Sequence, residues 1–82
     1  MSDHLYSPLD QLQSGARGVV RQLMGGKGFA SRVASMGLAI GAHIEMLDNR
    51  GQGPLLILVR DTRVALGRRE AQGILIEKLS HE

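Results

Sequence analysis

The chain has no cysteine, which removes both a disulfide framework and a thiolate metal site and fits a reducing compartment. Aromatic residues are nearly absent: Tyr6 and Phe29 are the only two. Base-stacking platforms and proline-rich-peptide grooves are both built from exposed aromatics, so the composition argues against either. No long apolar run is present. The longest stretch of large apolar residues is Leu55-Leu56-Ile57-Leu58-Val59, whereas a membrane span needs about 20, so direct membrane insertion is not expected. Met1-Ser2-Asp3-His4 carries an acid, no basic n-region and no following apolar h-region, which argues against a signal peptide. Charge of one sign is also missing. The net charge is +2, and only Lys27 and Lys78 are lysines, so charge alone does not point to nucleic acid.

What is present is organised around residues 29–41. Phe29, Val33 and Met36 recur at i, i+4, i+7, which predicts one apolar face of a short helix. Gly37 stands where a helix commonly stops in a left-handed residue, and Leu38 follows as the apolar residue able to fold back on the last turn. Gly41 then permits a second sharp turn before a strand. Helix, stop and redirected strand thus fall within about a dozen residues.

Elsewhere the pattern is that of short strands. Ser7 to Leu12 reads as a turn or helical start with Leu9 and Leu12 on the core, and Gly18 to Met24 reads as the first strand. Gly25-Gly26-Lys27-Gly28 lacks the spacing of a P-loop or a dinucleotide fingerprint, so it is expected to be a flexible strand-to-helix connection. Ala42, Ile44 and Met46 alternate with His43, Glu45 and Leu47, as in a strand with one buried face. Asp48 to Pro54 is turn chemistry, Leu55 to Arg60 a strand apolar on both faces and expected to be central, and Asp61-Thr62-Arg63 a tight reversal into Val64-Ala65-Leu66. Gly67 to Gly73 reads as a one-turn element, Ile74 to Leu79 as a closing strand, and Ser80-His81-Glu82 as a fraying end.

This predicts a mainly β fold: a small SH3-like barrel of about five strands, with one short helix inserted after the first. A chain of 82 residues makes one domain, residues 1–82, with an ordered core over about residues 7–79. At this size only about 60–65% of the unfolded surface is buried, so the core is thin. No parallel crossover repeats, which excludes a doubly wound sheet.

Chemistry is sparse. Neither a nucleophile with its base nor a pair of carboxylates sharing a site is legible, so no catalytic residue and no cofactor is assigned. Of the three histidines, His4 and His81 lie near the termini, and His43 beside Glu45 reads as a solvated strand face rather than a metal site. Two surface candidates remain for a partner. Arg60, Arg63, Arg68 and Arg69 cluster around the third reversal with Asp61 and Glu70, suited to an acidic partner or simply to solvent. Arg32 and Ser35, with Ser31, lie off the apolar stripe of the helix.

Read together, Ser31-Arg32-Val33-Ala34-Ser35-Met36-Gly37-Leu38-Ala39-Ile40-Gly41 resembles the FeoA family of small cytosolic proteins that accompany the ferrous-iron transporter FeoB. Leu9, Leu12, Gly15 and Val19 upstream, and Gly53-Pro54-Leu55, Val64-Ala65-Leu66 and Arg69-Glu70-Ala71 before Ile74 downstream, extend the similarity from about Leu9 to Leu79. Asp61 departs from it, standing where relatives often have glycine, and Gly67 stands where a larger residue is common. The resemblance implies an SH3-like barrel without catalysis, in the cytoplasm or peripheral at the inner membrane face, that regulates or assembles FeoB through its cytosolic GTP-binding part. A related barrel closes some iron-dependent repressors after a winged helix and a dimerisation segment, and this chain carries neither. Two other functions fit the sequence: a small-barrel nucleic-acid-binding protein, whose affinity falls steeply with salt, and a metal-binding chaperone using His43 and Glu45. Exposed strand edges also make a weak homo-oligomer an expectation.

Overall fold

The computed structural model describes residues 5–79. The expectations placed on Met1–His4, on His81 and on the fraying of Ser80–Glu82 lie outside the described residues. Six strands form a single antiparallel sheet: β1 (Tyr6–Pro8), β2 (Arg17–Leu23), β3 (His43–Asp48), β4 (Leu55–Val59), β5 (Thr62–Leu66) and β6 (Ile74–Leu79). Their order across the sheet is β1-β6-β2-β3-β4-β5. Helix α1 (Gly26–Ala34) links β2 to β3, the one-turn helix α2 (Arg68–Gln72) links β5 to β6, and a 3-10 turn occupies Leu9–Gln11.

The strand count exceeds the expected five by β1. Three residues are too short for an alternation to be read, and Pro8 is tolerated there because β1 is an edge strand. Helix α1 therefore follows the second strand rather than the first, and it begins earlier than the apolar stripe suggests. Gly26, at φ +84°, turns the chain out of β2, and Lys27 and Gly28 form the first turn of the helix rather than a flexible connection. β4 lies one strand in from the edge. Leu55, Ile57 and Val59 are buried on its inner face, while Leu56 and Leu58 on the outer face are half-buried.

The helix stop has the expected form. Gly37, at φ +96°, donates its N–H to Ala34 O at 2.9 Å, and Leu38 donates to Val33 O, also at 2.9 Å. This pair of bonds satisfies carbonyls that the last turn leaves free, and it brings Leu38 against Val33. Both side chains are fully buried, each stabilising the fold by roughly 1.5–3 kcal/mol. Phe29 and Met36 are half-buried against the same core, so Val33 alone of the stripe reaches its centre. Gly41, at φ +95°, then donates to Val20 O at 2.7 Å, and Val20 donates to Ala42 O at 2.9 Å. Those two bonds dock the helix exit on β2 and set the register of β3, with Val19 opposite His43 and Arg17 opposite Glu45.

One core fills the concave side of the sheet. Val20, Ile44, Met46, Ile57, Ile74 and Ile76 meet Val33 and Leu38 from the α1 region, Leu9 and Leu12 from the 3-10 turn and Ala71 from α2. No polar or charged residue is buried among the described residues.

Candidate interaction surface

The six residues expected at a partner surface fall into three different settings. Arg32 leaves the exposed side of α1 and runs to α2, where its Nε lies 3.1 Å from Glu70 Oε2. Its guanidinium also sits over the Phe29 ring, 5.6 Å from the centroid. That ring is held between two glycines: a Cβ on Gly73 would lie 3.1 Å from Phe29 Cζ, and one on Gly25 would overlap the ring. Arg32 thus ties the two helices together while its side chain stays 57% exposed. Ser35 donates its hydroxyl to Arg32 O at 2.6 Å, which caps the end of its own helix.

Arg68 turns inward. It hydrogen-bonds Asn49 Oδ1, and its Nε is buried without a partner. Asn49 is the hub of that region, donating from Nδ2 to Asp10 O at 2.9 Å and to Leu12 O at 2.8 Å. It also accepts from Gly51 N–H at 3.1 Å, and its own N–H reaches Ser14 Oγ at 2.8 Å. Asn49 and Arg68 therefore join the 3-10 turn, the β3–β4 loop and α2. The sequence pattern groups Arg68 with the surface arginines and gives no sign of the role of Asn49. An asparagine two residues before Gly51 signals a local turn, but its contacts to Asp10, Leu12 and Arg68 are tertiary.

Arg60, Arg63 and Arg69 are exposed, and none makes an ion pair among the described residues. Arg60 and Asp61 form the two-residue turn between β4 and β5, at φ +53° and +62°. Glycine is favoured at such positions, and Asp is among the residues that tolerate them. Gly67, by contrast, has φ −69° and needs no glycine on conformational grounds.

On the outer face of the sheet, Arg17, His43, Glu45, Leu58, Arg60, Asp61 and Leu79 line an open hollow of about 310 Å³. Cross-strand pairing assembles it, setting Arg17 against both Glu45 and Leu79, and Glu45 against Leu58. Arg21 Nε and Glu77 Oε1, 2.7 Å apart, brace β2 against β6. His43 and Glu45 share this face as expected from strand alternation, yet no group of three or more metal-ligating side chains occurs among the described residues.

A six-stranded antiparallel sheet curled round one small core defines a small SH3-like domain. The chain belongs to the FeoA family: the FeoA domain model matches residues 7–78. It is 31% identical over 70 residues to a Methanocaldococcus jannaschii protein named as an Fe(2+) transport protein A, spanning 85% of this chain and 84% of that one. A crystal structure of an iron uptake regulatory protein, FeoA, superposes with a TM-score of 0.85 at 33% identity, over 92% of this chain and 99% of that one. FeoA of Stenotrophomonas maltophilia, solved with zinc and described as a prokaryotic SH3 domain protein, gives a TM-score of 0.72 at 26% identity over 88% of each chain.

Proposed function

We propose that this chain is a non-enzymatic accessory protein of ferrous-iron uptake, acting by protein contact with the cytosolic GTP-binding part of a FeoB-type membrane transporter. The observation that carries the reading is the FeoA family match across residues 7–78, nearly the whole chain. The named relatives in iron transport and uptake regulation support it. On this reading the protein works at the cytoplasmic face of the membrane through its partner; no helix among the described residues is long and apolar enough to cross a bilayer. Exposed Arg60, Arg63 and Arg69 are the contact residues, joined by Arg32 through its exposed edge. Arg68 and Ser35 act by holding the surface in shape.

The test is a pulldown of the tagged chain against detergent-solubilised full-length FeoB from the same cell, with GDP and with a non-hydrolysable GTP analogue. Retention that follows the nucleotide makes the chain a reader of the transporter's GTPase state. Retention indifferent to nucleotide makes it a structural subunit. Absence of retention in every state overturns the reading.

A further inference from the structure

The sheet ends on two edges of different quality. β1 is three residues long and includes Pro8, which has no N–H, so it is a poor template for another strand. β5 is five residues long, has no proline, and pairs only with β4 among the described residues. Its hydrogen-bond phase follows from the turn before it. In a two-residue hairpin the residues flanking the turn form a hydrogen-bonded pair, and such pairs alternate along the ladder. Val59–Thr62, Ile57–Val64 and Leu55–Leu66 are therefore bonded pairs, and Leu58–Arg63 and Leu56–Ala65 are not. The N–H and C=O groups of Arg63 and Ala65 consequently point off the edge of the sheet. Neither residue makes a backbone hydrogen bond outside the sheet among the described residues, and both are exposed.

The side chains along this edge say what fits it. Arg63 and Ala65 project on the outer face beside half-buried Leu58 and Leu56, while Val64 projects inward and is half-buried. Arg60 stands at the start of the edge and Arg69 just past its end, both exposed and without ion pairs among the described residues. A second copy of this chain would set these arginines against one another along the seam, and like charges across a strand pair repel. We propose that β5 takes on an added strand from the partner, an extended segment alternating acidic side chains over Arg60 and Arg63 with apolar side chains beside Val64. The inference rests on the reading of the chain as a contact protein for the transporter, and it names the surface and the backbone groups used.

The test is hydrogen–deuterium exchange, resolved to single amides, on the full chain with and without detergent-solubilised FeoB. On complex formation the Arg63 and Ala65 amides slow at least ~10-fold, while Thr62 and Val64, already bonded to β4, change less. Ala65→Pro removes one outward N–H without touching a β4 bond, and it weakens retention on the transporter at least ~10-fold. Should Ala65→Pro fail to fold, Arg63→Glu supplies the same loss through charge, and the exchange data on the wild type stand independently. A complex that leaves both amides unprotected overturns the added strand and spares the functional reading. Protection that grows with the chain's own concentration, without FeoB, overturns it in favour of self-pairing. No complex with the wild type overturns the functional reading, and the added strand with it.

Discussion

Ile76 fills the space that a side chain at residue 18 would need: a Cβ on Gly18 would overlap Ile76 Cγ2 and lie 3.1 Å from Glu77 O. The glycine is required here by packing, since no positive φ is involved. Gly18→Ala should therefore lower stability by about 1–3 kcal/mol through overpacking. For a domain of this size each kcal/mol shifts Tm by about 4–8 °C, so thermal unfolding reads the effect directly. Gly28→Ala is the contrast. Gly28 lies in the first turn of α1 with open space around its Cα, so alanine there should raise stability by about 0.5–1 kcal/mol. Equal effects at the two positions would remove the packing account.

Asn49 holds three elements with one amide, and its loss should be felt by all of them. Asn49→Ala removes the bonds to Asp10 O, Leu12 O, Gly51 N–H and Arg68 together, and should cost about 2–3 kcal/mol in chemical denaturation. Arg68→Ala should cost less, because it leaves the two Nδ2 bonds in place. The double variant should be less destabilised than the sum by about 1 kcal/mol, the mark of a direct contact. Additive losses would show that Arg68 and Asn49 act separately. Any loss of partner binding in an Arg68 variant should track its loss of folding.

The contrast between Arg68 and Gly37 shows what the sequence could and could not disclose. Val33, Gly37 and Leu38 are read from spacing alone because every bond in the helix stop is local, joining residues at most five apart. Arg68 and Asn49 are nineteen residues apart and meet only after β4, β5 and α2 are placed. Composition gave Arg68 the same standing as Arg69, and only packing turned one inward and left the other exposed. The outer hollow was hidden for the same reason, since Arg17 and Glu45 are brought together by the β2–β3 register. β1 is not legible because three residues are too short for an alternation to show and Pro8 is a residue depleted in strands. The β4–β5 reversal was legible as a turn, but not the phase of hydrogen bonding that follows from its two-residue length.

That two-residue turn holds Arg60 and Asp61 at positive φ, a region that disfavours side chains with a Cβ. Asn and Gly are the residues such turns favour at these two positions. The double change Arg60→Asn/Asp61→Gly should raise stability by roughly 1 kcal/mol without altering the β4–β5 register, as thermal unfolding and amide chemical shifts along β5 would report. The same variant removes Arg60 from the edge, so retention on the transporter should fall even as Tm rises. A variant that is both more stable and fully retained would take Arg60 out of the contact.

Arg32 presents the sharper case, because one side chain serves two demands. Its pairing with Glu70 is solvent-exposed, 57% and 35% by side chain, so the pair should contribute no more than about 0.2–1 kcal/mol and weaken with salt. Arg32→Glu sets two carboxylates together, withdraws the cation from the Phe29 ring, and should destabilise modestly by the same order. Adding Glu70→Arg restores an opposite-charge pair between α1 and α2 with its polarity reversed. If Arg32 matters only as the tie between the helices, the swapped pair recovers both Tm and retention on the transporter. If its exposed edge meets an acidic partner, the swap recovers Tm and leaves retention low, because a glutamate now stands where the partner needs a cation. We expect the second outcome, since Arg32 keeps more than half of its side chain in solvent while bound to Glu70. Tm and retention measured on the wild type, Arg32→Glu and the swapped double variant decide it, and recovery of both would reassign Arg32 from the contact surface to the helix joint.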